Sequence, residues 1–370
     1  SRVMLKVALT YLDKGTAIGT CTLEAARVLC KYVDLTCYVT DRNKLNDEFK
    51  KIGCPVKIFH LKRGGKNLLK SVLTGKEDSG MAAEIIKDNP DIVMDGGTLN
   101  WFRVIERMLG GRFPVVEVVH DSTPHPGFEY VLYSLQRKLH PSLCDCVVSI
   151  SEFCYRDNIR RLPDKKHILS RHGVHAVRDD VDHEKVGRNS KNQLMFGRIE
   201  KYKGVEVLVD AYEHALKEVP DLKVTIAGAG KIAPAVLRKA ERLGIDILNK
   251  FIDEKELRRL TDSHGVMLMP YTSATQSGVA VAAMENCLPC VATDVGALPE
   301  QVIDGETGII VPMGDAKAFA DGMVAMATNP KRVAEMSRKC AVIGKRDFNW
   351  ETIGKKLAED LEKFYGEYKK

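Results

Sequence analysis

Gln193-Leu194-Met195-Phe196-Gly197-Arg198-Ile199-Glu200-Lys201-Tyr202-Lys203-Gly204 is an apolar run that stops at a glycine and crosses a turn with three cations within six residues. It then enters a helical period over about 203–218. A second apolar run, Lys223-Val224-Thr225-Ile226-Ala227, follows and ends in Gly228-Ala229-Gly230-Lys231. Strand, turn, helix and strand in that order predict two parallel strands joined by a crossover helix, because a connection of this length suits a crossover rather than a hairpin.

The same alternation extends in both directions. Upstream, the predicted strands are Val3–Leu9, Leu35–Val39, Val56–Phe59, Asp91–Met94, Val115–Val119 and Cys146–Ile150, with amphipathic stretches between most of them. Downstream, Val266–Met269 and Cys290–Thr293 alternate with helices near 231–243, 276–286 and 315–328. The charged stretch from Arg178 to Lys191 has no strong hydrophobic period and reads as a linker near 175–190. The expected fold class is therefore α/β, with two doubly wound Rossmann-like domains facing across a cleft. The expected boundaries are 1–180, 190–345 and 346–370, the last a C-terminal helix in which Ile353, Leu357, Leu361 and Phe364 recur at helical spacing and which is expected to pack back on the first domain.

The 370 residues suit two cores of ordinary size. At 44% hydrophobic and 29% charged, the composition argues against a disordered or coiled-coil chain. No apolar stretch is long enough to span a bilayer, and the opening residues read as a strand instead of a secretory leader, so the expected location is the cytoplasm. Ten scattered cysteines without a leader fit a reducing compartment. The close pairs Cys144/Cys146 and Cys287/Cys290 read as buried structural residues, since a zinc site needs a matching second half. A net charge of +6 is modest, and nucleic acid is not an expected partner. One basic run, Leu61-Lys62-Arg63-Gly64-Gly65-Lys66-Asn67-Leu68-Leu69-Lys70, has two readings: a solvated loop, or a peripheral contact with the inner face of an anionic membrane or a phosphorylated acceptor.

Functional residues are expected at the carboxyl ends of strands. The loop Asp13-Lys14-Gly15-Thr16-Ala17-Ile18-Gly19 precedes a helix whose amides suit a phosphate, although its spacing is not the dinucleotide fingerprint even with Asp41 after the second strand. His120-Asp121-Ser122-Thr123-Pro124-His125 follows the fifth strand, where His120 suits a hydrogen bond or proton exchange with substrate and where metal binding by His120, Asp121 and His125 is the weaker alternative. Arg198 and Lys203 suit a diphosphate, and Gly228 and Gly230 let backbone approach a ligand. Gln276, Ser277, Gly278 and Val279 open a helix whose first amides suit phosphate and sugar hydroxyls, and Glu285, two turns on, suits a ribose diol.

Taken in order, Phe196-Gly197-Arg198 with Lys203-Gly204, Ala227–Gly230, Pro270-Tyr271, the Gly278–Glu285 helix, Pro289–Glu300 and Gly305–Pro312 resemble the retaining nucleotide-sugar glycosyltransferases of family 4 (group 1), which have the GT-B fold. In the first half the resemblance rests on the Gly15/Gly19 loop, His120-Asp121 and Val148–Glu152. It implies a hexosyltransferase that moves sugar from a UDP- or GDP-sugar to a glycan or glycolipid acceptor, as in bacterial surface polysaccharide or lipopolysaccharide assembly, with no metal and no cofactor. It also implies that Arg198 and Lys203 grip the donor pyrophosphate, that Glu285 binds ribose and that His120 lies near the donor sugar. The donor contacts would be completed by Gly15, Gly228, Gly230 and residues 276–279, with Asp121 and His125 on the acceptor side. One position departs from the family: Ser277 stands where the first of two glutamates, E-x7-E, is common, so sugar identity is not carried over. The competing readings are a nucleotide-sugar epimerase and a non-catalytic sugar-nucleotide-binding subunit.

Overall fold

The computed structural model describes residues 4–13, 17–62, 65–97, 99–120 and 144–370. It divides into two units, one taking in residues up to Gly173 and returning with Trp350–Lys370, the other comprising Val174–Asn349.

In the first unit the strands are β1 (Lys6–Tyr11), β2 (Asp34–Thr40), β3 (Val56–Phe59), β4 (Ile92–Asp95), β5 (Val115–Val119), β6 (Cys146–Ser149) and β7 (Lys166–Leu169). They form one sheet in the order β3-β2-β1-β4-β5-β6-β7, and every pairing is parallel. The central strands are buried on both faces, which is why they read as unbroken apolar runs. Asp95 is tolerated at the end of β4 because its carboxylate accepts from Thr10 Oγ1 at 3.0 Å and from the Gly97 amide at 3.0 Å.

The helix Trp350–Tyr368 belongs to this unit, as the sequence reading expects. Its Leu357, Ala358, Leu361 and Phe364 join one apolar cluster with Leu23, Ala26 and Leu29 of the helix Ala17–Leu29 and with β1 and β6. Polar ties reinforce the docking: Tyr365 donates to Asp91 and Lys166 pairs with Glu367 at 3.0 Å.

The second unit contains β8 (Asn192–Phe196), β9 (Lys223–Ala227), β10 (Asp246–Leu248), β11 (Val266–Met269), β12 (Cys290–Thr293) and β13 (Gly308–Val311), ordered β10-β9-β8-β11-β12-β13 and again all parallel. Strand order reverses between β1 and β4 in the first sheet and between β8 and β11 in the second. Such switch points leave a crevice at the carboxyl ends of the strands, where ligands of open α/β sheets bind.

The stretch expected as a linker is part of the second unit's packing. Val174, Val177 and Val186 are buried, and His183–Arg188 is a helix capped by Asp182, whose side chain accepts from the Lys185 amide at 3.0 Å. Its one short turn of helix with a single buried valine is too brief to produce a hydrophobic period. Strands β7, β10 and β13 also go beyond the sequence reading. Lys166-His167-Ile168-Leu169 carries polar residues as an edge strand does, and β10 spans only three residues.

Docking of the last helix is open to a direct check. Leu361 is fully buried, so Leu361→Ala should destabilise the first unit by about 2–5 kcal/mol. Both tryptophans, Trp101 and Trp350, lie in that unit, so denaturation followed by tryptophan emission reports on it alone. An unchanged midpoint would show that the helix adds nothing to this core.

Candidate functional site

At the switch point of the second sheet, β8 ends and the chain crosses Gly197 and Arg198 before a single 3₁₀ turn, Lys201–Lys203. Gly204 closes that turn at φ 73°, and a Cβ there would lie 1.8 Å from the Pro270 carbonyl oxygen. Only glycine fits both demands, and the start of the helix Val205–Ala215 is thereby brought against the end of β11. Gly228 has a related role, since a Cβ would lie 1.9 Å from the Gly197 carbonyl oxygen.

This close packing sinks Lys203 into the unit, 7% exposed. Its Nζ donates to the Tyr271 hydroxyl at 2.7 Å and lies 4.2 Å from the Tyr271 ring centre. The partner is a phenol with a π-face instead of a carboxylate. Burial consequently pushes the Lys203 pKa down to about 8, with Glu200 opposing and Arg198 adding to the shift. Tyr271 is itself buried, and desolvation raises its pKa, so it stays a neutral donor and acceptor.

The helix Gly278–Glu285 starts beside this pair. Ser277 is its N-cap: its Oγ accepts from the Ala280 amide at 3.4 Å and lies 3.4 Å from the Tyr271 hydroxyl. Gln301 holds Ser277 from the other side, accepting from its amide and donating to its carbonyl, each at 3.0 Å. Gly278 is exposed, Gln276 is half-buried and Val279 is buried toward Gly197. The first amides of this helix and the ammonium of Lys203 together make an electropositive crevice suited to an anion.

The other expected residues are placed separately. Arg198 is exposed and pairs with Glu200 at 3.1 Å, so its guanidinium stands in solvent near the mouth of the same turn. Gly230 is occupied by its neighbour, its amide donating to Asn249 Oδ1 at 3.1 Å and its carbonyl accepting from Asn249 at 3.0 Å. Glu285, at the end of its helix, accepts from the His175 amide at 2.6 Å; burial raises its pKa while the His175 and Ala176 amides pull it down. Gly15, Asp121 and His125 lie outside the described residues.

His120 belongs to the first unit, where Nε2 lies 3.1 Å from the Gly96 carbonyl, so that nitrogen carries the proton in the neutral ring. It lines an apolar cavity with Met94, Ile150, Trp350 and a thiol–imidazole pair, Cys21 and His172, 2.7 Å apart. His172 Nδ1 donates to the Gly173 carbonyl at 2.8 Å, leaving Nε2 to accept from the Cys21 thiol. Burial pushes Cys21 up to about 12, which keeps it a thiol. The pairs Cys144/Cys146 and Cys287/Cys290 are all buried, as the sequence suggests.

Two doubly wound units with these strand orders have the architecture of the GT-B glycosyltransferases. The crystal structure of Anabaena HepE in complex with UDP aligns over 97% of this chain and 100% of that one, with a TM-score of 0.73 at 16% identity. Sucrose-phosphate synthase from Thermosynechococcus elongatus aligns over 98% and 99%, with a TM-score of 0.69 at 17% identity. Residues 190–329 match the family described as "Glycosyl transferases group 1". The D-inositol 3-phosphate glycosyltransferase of Corynebacterium diphtheriae is 29% identical over 188 residues, which is 48% of this chain and 43% of that protein. The chain thus spans less than half the length of this curated relative.

Lys203 offers a test without any ligand. In the unfolded chain it holds its proton up to about pH 10.5, but in the folded one only up to about pH 8. Folding therefore releases a proton in that window, and stability relative to Lys203→Met should rise with pH across it, by on the order of 3 kcal/mol, and stay flat below it. Urea denaturation followed by circular dichroism at pH 7, 9 and 10.5 measures the difference. A pH-independent difference would mean that the ammonium is not desolvated.

Proposed function

We propose that this protein is a retaining glycosyltransferase that takes sugar from a nucleoside-diphosphate sugar and passes it to a glycan or glycolipid acceptor without a metal ion. The observation that carries the reading is the Lys203 ammonium, buried on Tyr271 beside the start of the Gly278–Glu285 helix at the second sheet's switch point. A departing nucleoside diphosphate gains negative charge as the glycosidic bond to the donor sugar breaks. An ammonium already stripped of water stabilises that charge with little reorganisation. The helix amides add to it, and Arg198 supplies an exposed guanidinium from the mouth of the turn.

Glu285 would take the ribose, roughly 10 Å along the axis from the helix start. Ser277 brings no carboxylate to the sugar, since its hydroxyl is used in capping the helix. His120 would face the donor sugar, and the acceptor would be held by the first unit. The family match over 190–329 supports transfer over epimerisation.

Because bound diphosphate favours the charged lysine, affinity for UDP or GDP should fall as pH rises above about 8. Lys203→Arg should flatten that dependence, and Lys203→Ala should lower kcat/KM at least about tenfold, or about 1.4 kcal/mol. In the same assay EDTA should leave turnover intact, and the product should keep the anomeric configuration of the donor. Activity lost on chelation and restored by Mg²⁺ would overturn the metal-free reading, and a full rate in Lys203→Ala would overturn the clamp.

The first unit's helix Gly65–Thr74 favours peripheral contact with an anionic membrane. Leu69 and Leu73 are 38% and 60% exposed and stand among the exposed Lys66 and Lys70, while Ser71 and Val72 face inward. Co-sedimentation with phosphatidylglycerol vesicles, but not with phosphatidylcholine vesicles, is the expected result. Lys66→Glu with Lys70→Glu should abolish it, and equal binding to both vesicle types would count against the electrostatic contact.

A further inference from the structure

Outside these sites, two cysteines of the first unit stand in contact. Cys37 is fully buried in β2, and Cys54 is half-buried in the turn that leads into β3. Their sulfurs are 3.7 Å apart. The Cys37 amide donates to the Pro55 carbonyl at 2.9 Å, and Cys37 sits opposite Val56 in the β2–β3 register, so backbone bonding holds the two segments together beside the sulfurs.

The two thiols are unequal. The two thiols are hydrogen-bonded to each other, and this contact lowers the Cys54 pKa and raises that of Cys37. Cys21, Cys146, Cys287 and Cys290, by contrast, are all pushed up by burial. A third cysteine, Cys30, is close by, but its thiol is directed to the carbonyls of Arg27 and Ile52 at 3.1 and 3.2 Å. The pair therefore has a half-buried member that ionises more readily and a fully buried member that holds a proton in reserve.

We propose that Cys54 and Cys37 form a peroxide-reactive dithiol that closes to an intramolecular disulfide. The Cys54 thiolate attacks one oxygen of the peroxide, an S–O bond forms, the O–O bond breaks and hydroxide or alkoxide leaves, giving a sulfenic acid at Cys54. Cys37 sulfur then attacks Cys54 sulfur. The S–S bond forms, the S–O bond breaks, and the Cys37 proton leaves with the hydroxyl as water. Two electrons pass from the sulfurs to the peroxide. The sulfurs must close from 3.7 Å to about 2.05 Å, a shift within reach of side-chain rotation in the turn before β3. The product pins that turn to β2 and is reversible by thiols. None of these steps depends on the activity proposed above.

The experiment treats the full chain with equimolar hydrogen peroxide, counts thiols and maps peptides without reduction. Of the ten free cysteines two should be lost, in one cross-linked peptide pair containing Cys37 and Cys54, and dithiothreitol should restore them. Cys54→Ser should slow thiol loss at least tenfold. Cys37→Ser should stop at a Cys54 sulfenic acid that dimedone traps, and Cys30→Ser should behave as wild type. A Cys30–Cys54 cross-link, thiol loss unchanged in Cys54→Ser, or a Cys54 that survives peroxide intact would each overturn the proposal.

Discussion

The second unit is organised around a charge held out of water. Lys203 is buried with a phenol and an aromatic face for company, and neither matches the hydration it gives up. Such a placement costs stability, and it persists only where the surrounding backbone leaves the side chain no other route. Gly204 packed on Pro270 and Gly228 packed on Gly197 supply that constraint. The rest of the crevice follows: Tyr271 is the contact that makes burial tolerable, Ser277 ties Tyr271 to the helix start, and Gln301 fixes Ser277 from the short helix Leu298–Gln301 that follows β12. A side chain that is poorly solvated at rest gains most from an anion, so the strain and the proposed affinity have one origin.

The absence of a carboxylate at position 277 bears on the same lysine. A glutamate there would stand near the ammonium and hold its proton more firmly. With serine, the hydroxyl is turned to the helix amides, and nothing at 277 offsets the burial that holds the lysine's pKa down at about 8. One neutral residue thus leaves this helix start without a carboxylate and the lysine without an anionic neighbour at that position.

Much of this architecture was legible in the chain. Parallel strands buried on both faces leave apolar runs, and the helices between them leave a period, so β8, β9, β11 and β12 were readable to within a residue or so. β10 spans only three residues and β7 opens with Lys166 and His167, so neither leaves such a trace. Lys203 stood out because it ends a strand-turn-helix motif. Its partner Tyr271 lies 68 residues away, and Gln301 lies 24 beyond Ser277, distances over which no spacing rule operates. The linker misreading has the same cause, since Val174, Val177 and Val186 bury themselves against distant segments without forming a repeat.

The return of Trp350–Tyr368 to the first unit has a consequence for synthesis. The second unit is one uninterrupted stretch, 174–349, whereas the first is assembled from two. On the ribosome, at about 5–20 residues per second, tens of seconds separate the first unit's last strand from the helix that covers Leu23, Ala26 and Leu29. The later-made unit can therefore reach its native state before the earlier one is sealed. During that interval an apolar helix face waits uncovered, and a chaperone that shields such faces would find its substrate in the nascent first unit.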